Sequence, residues 1–181
     1  MIVNLRLAET TALSVCCPSP GVRLRGLGLR QADRAAAGMA WSAALESSSL
    51  SPENAAGSRA HTEGAGAALV GPTGTVLGVD LVSRSRVTPR HARAILDQHE
   101  WEALPVPLAL RGALGWGLKE AAAKALGNPV RHFPAGLTIT RAGNRVEVIA
   151  RAEPRFRMAG HWREIDSLLC VWVIGSALKE R

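Results

Sequence analysis

Two acids of this chain stand in unusual surroundings. Asp80 interrupts the apolar run Gly78-Val79-Asp80-Leu81-Val82, and a carboxylate in the middle of an apolar strand is costly unless it is paired, hydrogen-bonded or bound to a cation. Glu120 lies in the segment Trp116-Gly-Leu-Lys119-Glu120-Ala-Ala-Ala-Lys124-Ala-Leu-Gly127. On a helix this spacing puts Trp116, Glu120 and Lys124 on one stripe and turns Lys119 elsewhere. Two carboxylates from different elements, with cations beside them, could hold a Mg²⁺ that keeps several waters and meets phosphate oxygens. The chemistry suggested is phosphoryl-type transfer. A plainer reading stays open beside it: Asp80 as a strand-end or edge-strand aspartate, and Glu120 with Lys124 as an ordinary surface pair worth about 0.3–0.5 kcal/mol.

The elements that must position these side chains follow from periodicity and punctuation. Leu108 to Leu126 is the clearest helix, because Leu110, Leu114, Leu118, Ala121 and Ala125 share a face and Gly127 ends it. Upstream, Thr88-Pro89 reads as a helix start, with the helical stretch running toward Leu104 until Pro105 and Pro107 stop it. The apolar runs Ala65 to Val70 and Thr75 to Val82 flank Gly71-Pro72-Thr73-Gly74, which predicts an antiparallel hairpin that places Asp80 inside a strand. Nearer the start, Val3, Leu5 and Leu7 alternate with polar residues as in a half-buried strand. Residues 17–28 form a Pro/Gly/Arg loop, Gln31 to Leu45 an alanine-rich helix, and Ser47 to Gly57 a loop. Beyond Gly127, Leu137 to Arg141 and Arg145 to Ala150 flank a turn, and Ser167 to Gly175 is an apolar strand that must be covered on both faces. The order gives an α+β fold.

Composition bounds the function. With 181 residues, 47% apolar and 20% charged, the chain can bury a real core as one domain or two small lobes. Its longest apolar run, Leu168 to Ile174, is far short of the roughly 18–20 residues that cross a bilayer, and Met1 to Ala8 carries Asn4 and Arg6 where a signal peptide needs an apolar stretch. Cys16, Cys17 and Cys170 suit neither a disulfide framework nor a zinc site, so a reducing cytoplasm is the expected setting. Lys plus Arg number 22 against 15 acids, a net charge of +7, which favours polyanionic partners without choosing among them. Only three of those cations are lysines, and two of the three are Lys119 and Lys124. Modules that stack bases need exposed aromatics, whereas this chain has no Tyr, two Phe and five scattered Trp. No nucleic-acid or membrane partner is expected.

The common nucleotide and hydrolase motifs are absent. Gly26-Leu-Gly28 and Gly64-Ala-Gly66 lack the third glycine of a dinucleotide fingerprint, and Gly112 to Lys119 misses the ending of a P-loop. His99-Glu100 has no second histidine for a zinc protease helix, and there is no Gly-x-Ser-x-Gly elbow.

At Asp80 and Glu120 the sequence resembles the 4'-phosphopantetheinyl transferase superfamily. Its two signatures are Gly-(Val/Ile)-Asp and, about 40 residues on, Trp-x-x-Lys-Glu-(Ala/Ser)-x-x-Lys-x-x-Gly. Here they stand as Gly78-Val79-Asp80 and Trp116 to Gly127, with 40 residues from Asp80 to Glu120. Members of the surfactin-type branch also carry a Ser-x-Ser-His-Ser-like segment before the aspartate, which Ser58-Arg59-Ala60-His61-Thr62 matches more loosely. The resemblance implies transfer of the phosphopantetheine arm of coenzyme A to a serine of an acyl or peptidyl carrier protein, with release of 3',5'-ADP. Asp80 and Glu120 would bind Mg²⁺ on the pyrophosphate, and Lys124 would assist at the reacting phosphate. Lys119 would contact phosphate or carrier, His61 would hold the 3'-phosphate of coenzyme A, and Glu120 or a bound water would accept the serine proton. Arg23, Arg25, Arg30 and Arg34 are basic residues of the first lobe that could reach the phosphates of coenzyme A. Arg86, Arg90 and Arg93 could meet the acidic recognition helix of a carrier protein. Taken singly, each of the first four arginines reads rather as an ordinary solvated side chain, and a charged outer helix face explains Arg90 and Arg93 equally well.

The sequence departs from the family pattern at three places. Val82 stands where the surfactin-type branch has a second acid, Ser83 where the holo-acyl-carrier-protein synthase branch has one, and Ala60 where a hydroxyl residue precedes the histidine. The length points to the surfactin-type branch, whose single chain joins two similar α+β lobes, expected here as 1–77 and 78–181 in a monomer. Two other functions stay open: a catalytically inactive relative that binds coenzyme A or a carrier protein, and a basic nucleic-acid-binding protein. His91, His99, His132 and His161 read as ordinary histidines, and Trp101, Trp162 and Trp172 as core.

Overall fold

The computed structural model describes residues 2–8, 10–16, 29–127, 133–152 and 156–177. The expected loop 17–28, with Arg23 and Arg25, lies outside the described residues, as does His132. The chain divides into two units, Met1–Thr75 and Val76–Arg181, two residues before the division expected from the sequence.

In the first unit, strands β1 (Ile2–Ala8), β2 (Thr11–Cys16), β3 (Ala55–Thr62) and β4 (Ala65–Pro72) form an antiparallel sheet in the order β1-β2-β4-β3. Helix α1 (Leu29–Ser48) lies against it. The small residues of α1 explain the closeness of that packing: Ala40 and Ala44 are fully buried beside Ala68 and Val70. At Gly66 an added Cβ would come within 2.2 Å of the Ala37 nitrogen, so the helix backbone rests on bare strand. The expected helix Gln31 to Leu45 is present and longer by a few residues at each end.

The second unit has strands β5 (Val76–Ser83), β6 (Leu137–Ala142), β7 (Arg145–Ala150), β8 (Phe156–Ile165) and β9 (Leu168–Ala177), antiparallel in the order β5-β9-β8-β7-β6. Helices α2 (Pro89–Ile95), α3 (Gln98–Ala103) and α4 (Leu108–Ala125) come between β5 and β6. The core joins α4 to the sheet through Leu114, Leu118, Ala121 and Ala122 against Val146, Val148, Met158, Val171 and Val173, all close to fully buried. Residues 168–173 of β9 are buried without a break, as an apolar strand covered on both faces requires. Two antiparallel sheets and, among the described residues, four α-helices make this an α+β protein. Among the described residues no helix is long and apolar enough to cross a membrane. Both units run strand, helix and antiparallel meander, with the last strand returning beside the one before the helix: β4 beside β2, β9 beside β5.

Three expectations from the sequence are corrected. The segments Ala65 to Val70 and Thr75 to Val82 do not pair with each other: β4 takes β2 and β3 as neighbours, and β5 takes β9 in the other sheet. The turn itself forms, with the Thr75 amide donating to the Pro72 carbonyl at 3.0 Å, but both edges of β4 are already used. The helical stretch from Pro89 toward Leu104 is two helices, because Asp97 and Glu100 form a reciprocal capping box that starts α3 anew. Thr88 caps α2 as expected, accepting from the His91 amide. Finally, the loop expected over Ser47 to Gly57 is in part helix and strand, since α1 runs to Ser48 and β3 begins at Ala55.

Candidate active site

Helix α4 crosses β5 at residues that have no side chain to separate them. A Cβ on Gly78 would lie 1.9 Å from the Ala121 carbonyl oxygen. A Cβ on Gly117 would lie 2.9 Å from Val82 Cγ2 and 2.8 Å from Val171 Cγ2. Residues 78, 80 and 82 share one face of the strand, so Asp80 sits between the two points at which α4 is held. The glycine of Gly-Val-Asp and the small residues of the helix therefore bring Asp80 against the flank of α4 that carries Glu120 and Lys124.

Lys124 Nζ donates to Asp80 Oδ1 at 2.7 Å and to the Val79 carbonyl at 3.2 Å. Both side chains of the pair are largely buried, 28% and 14% exposed. Burial first, and then the negative charge of Asp80, push the Glu120 carboxyl above the ordinary glutamate value, with Lys124 pulling the other way. Glu120 thus feels the charge of Asp80. Trp116, one turn before Glu120, packs edge-on to Phe133 at 5.0 Å and tilts against His91 at 6.3 Å, which fixes the start of the stripe.

This donor set fits a divalent cation. A glutamate whose proton affinity is raised by burial and by a neighbouring acid would be relieved by a shared positive ion, and Mg²⁺ is commonly held by one or two carboxylates, its remaining positions going to water and phosphate oxygens. Among the described residues no group of three or more His, Cys, Asp or Glu side chains is arranged to hold a metal. Val82 contributes nothing polar: it is 5% exposed and faces α4 at Gly117. Ser83 is buried, with its hydroxyl 3.1 Å from that of Ser85.

Lys119 is elsewhere. Its side chain is 2% exposed, like that of its partner Glu100, with Nζ 2.8 Å from Glu100 Oε1 and 2.6 Å from the Ile95 carbonyl. Glu100 also accepts from the Ile139 amide at 3.0 Å and the Asp97 amide at 3.0 Å. One carboxylate thereby ties α3, α4 and β6 together, and the ammonium at its centre has no face left for a phosphate. The expected contact of Lys119 with coenzyme A or carrier is replaced by a structural ion pair, because α3 closes over that side of α4.

In the first unit His61 projects from β3, where burial alternates between Ser58 and Ala60 inside and Arg59 and His61 outside. Its Nδ1 is 3.6 Å from Asp33 Oδ2, with the imidazole 49% exposed. Arg30 belongs to α1 but its side chain lies outside the described residues, and Arg34 is exposed on the same helix. In the second unit Arg86, Arg90 and Arg93 are exposed, and a groove of about 570 Å³ runs past Val87, Arg93, Leu96, Asp97, Trp101 and Leu108. His161 stacks on Trp172 at 5.6 Å, and burial, then the charge of Arg145, lower its proton affinity. Trp172 is core as expected, while Trp101 and Trp162 are half-buried against it.

Reasoning from the sequence missed Glu100 and Asp33. The Asp97-x-x-Glu100 spacing carried a capping signal and could have marked the break before α3. Asp33 had none, since its partner His61 is 28 residues away on another element. No known protein-family model matches the chain, and no curated protein sequence matches it.

Proposed function

We propose that this chain is a Mg²⁺-dependent 4'-phosphopantetheinyl transferase of the two-lobed type, with holo-acyl-carrier-protein synthase activity. The observation that carries the reading is the ion pair of Asp80 with Lys124 where α4 rests on Gly78, with Glu120 near enough to feel the charge of Asp80. These residues belong to the two signatures the sequence resembles, and a strand acid beside a helix acid is the arrangement a cation on a pyrophosphate needs. The strand, helix and returning meander common to both units support a duplicated lobe.

Asp80 and Glu120 would hold the Mg²⁺, which when bound supplies positive charge to the pyrophosphate oxygens as they gain charge. Lys124, anchored to the β5 backbone, adds a fixed cation at the same place. The carrier serine Oγ forms a bond to the phosphorus on the pantetheine side of coenzyme A. The P–O bond to the other phosphate breaks, 3',5'-ADP leaves, and Glu120 accepts the serine proton. His61, with Arg30 and Arg34 of α1, would bind the phosphates of coenzyme A. Arg90 and Arg93, both exposed on α2 with Arg93 lining the groove, suit an acidic carrier helix through steered, salt-sensitive contacts.

A second reading is favoured by one observation. Val82, buried against Gly117, leaves two protein acids for the cation, which suits a relative that binds coenzyme A or a carrier protein without turnover. Incubating the chain with coenzyme A, Mg²⁺ and apo carrier protein and then weighing the carrier separates the two. A mass gain equal to the phosphopantetheine arm supports the transferase. Coenzyme A binding with no mass gain on any carrier favours the inactive relative.

A further inference from the structure

The sheet of the second unit has a face turned away from α4, and a row of nitrogen groups crosses it. Gly160 and Val171 meet α4 at Leu118 and Gly117, so the next residues, His161 and Trp172, stand on the opposite side of β8 and β9. They are paired positions, and their rings stack at 5.6 Å. Val146 pairs with Gly160, which sets Arg145 of β7 beside His161, and its charge reaches the imidazole. Arg163 lies two residues along β8 on the same face, about 7 Å from His161. A groove of about 550 Å³ opens on this row, its lining including Asn144, Arg145, His161, Trp162 and Trp172.

The row offers positive charge and N–H donors. Trp172 is 6% exposed, and its buried Nε1–H has no acceptor among the described residues, a costly state for a group that can only donate. Burial and Arg145 lower the proton affinity of His161, so at neutral pH one of its two nitrogens carries an N–H. Arg145 and Arg163 are exposed, and among the described residues neither pairs with an acid. Glu147, the acid of β7 on that face, is taken by Arg157 at 3.0 Å.

We infer that this face of β7, β8 and β9 is a binding site for a phosphate monoester, held by Arg145, Arg163 and the N–H of His161, with the unmet N–H of Trp172 beside them. Two guanidinium groups free of acids suit a dianion, which a monoester approaches at pH 7. A carboxylate or a phosphodiester brings one charge and leaves the second arginine unmatched. Asp80 lies on the α4 side of the same sheet, so this site is distinct from the proposed Mg²⁺ site and does not depend on the transferase reading.

The test is ¹H–¹⁵N correlation NMR of the full chain, following the Trp172 indole N–H as glycerol 3-phosphate or inorganic phosphate is added at fixed pH and ionic strength. The expected result is a shift that saturates with glycerol 3-phosphate, its affinity weakened about fivefold in Arg145→Gln and in Arg163→Gln. Arg151→Gln removes the same charge at an exposed position beyond the other end of β7 and should leave the affinity unchanged. Acetate should bind at least about fivefold more weakly than glycerol 3-phosphate. A shift that grows without saturating, or equal weakening in all three variants, would overturn the inference, because either reports only general attraction to a basic chain. Binding of inorganic phosphate without glycerol 3-phosphate would make the free ion the ligand and overturn the ester. A response to a single-stranded oligonucleotide but not to glycerol 3-phosphate would overturn it in favour of a phosphodiester backbone.

Discussion

Gly78 and Ala121 touch backbone to backbone: the Cβ that Gly78 lacks would sit 1.9 Å from the Ala121 carbonyl oxygen. No other residue lets α4 come down on β5 without moving the helix away, and the helix carries Glu120 and Lys124 with it. Gly78→Ala is expected to destabilise the chain by about 1–3 kcal/mol and to lower turnover about a hundredfold in the protein that still folds, because a shift of an ångström misplaces reacting groups. Denaturant unfolding and a transfer assay on the folded fraction check both. Full activity in Gly78→Ala would mean that the close approach does not position the acids.

Glu120 gives a pH dependence with a definite sign. Its carboxyl lies above its ordinary value of 4.5, so the folded chain holds this proton more tightly than the unfolded one. The stability it contributes is complete below pH 4.5 and is lost as the pH rises through the folded value. Glu120→Gln stays neutral throughout, so without metal it should melt at a higher temperature than the wild type at pH 7, the two converging at acid pH. Mg²⁺ should raise the wild-type midpoint and leave that of Glu120→Gln unmoved. Thermal melts with chelator and with Mg²⁺ decide it; a variant less stable than wild type at pH 7 would contradict the charge crowding.

Lys119 and Glu100 form a buried pair, and removing one partner strands the other. Lys119→Met is expected to cost about 3–5 kcal/mol. Lys119→Met with Glu100→Gln should recover part of that, since no bare charge remains and the amide oxygen can still accept one of the two amides, of Ile139 or of Asp97, that Glu100 accepts on separate oxygens. Urea unfolding of the single and double variants measures the difference. Coenzyme A affinity of the folded double variant should match wild type; a selective loss would return Lys119 to the ligand site.

Much of the second unit was legible because its signals are local. Helix α4 follows from the spacing of Leu110, Leu114 and Leu118, its end from Gly127, and the burial of β9 from its uninterrupted apolar run. The odd placement of Asp80 in an apolar strand likewise pointed to a partner, and Lys124 is that partner. Strand pairing was not legible, since Gly71-Pro72-Thr73-Gly74 says that the chain turns but not which strand the next one joins. Strands β2, β3 and β8 were missed for a related reason. The residues of β3, Ala-Ala-Gly-Ser-Arg-Ala-His-Thr, are small and polar, and only their contact with α1 makes the alternation matter. Lys119 shows the limit on side chains: helical phase turned it away from Glu120, and nothing in its neighbours revealed that α3 would fold over it.

The central claim is that Asp80 and Glu120 act together on one divalent cation at the reacting pyrophosphate. Mg²⁺-dependent transfer from coenzyme A to apo carrier protein, measured for wild type, Asp80→Ala, Glu120→Ala and the exposed-site control Glu46→Ala, tests it most directly. Turnover should fall at least about a hundredfold in each of the first two variants and persist in Glu46→Ala. Equal activity in all three variants would contradict it.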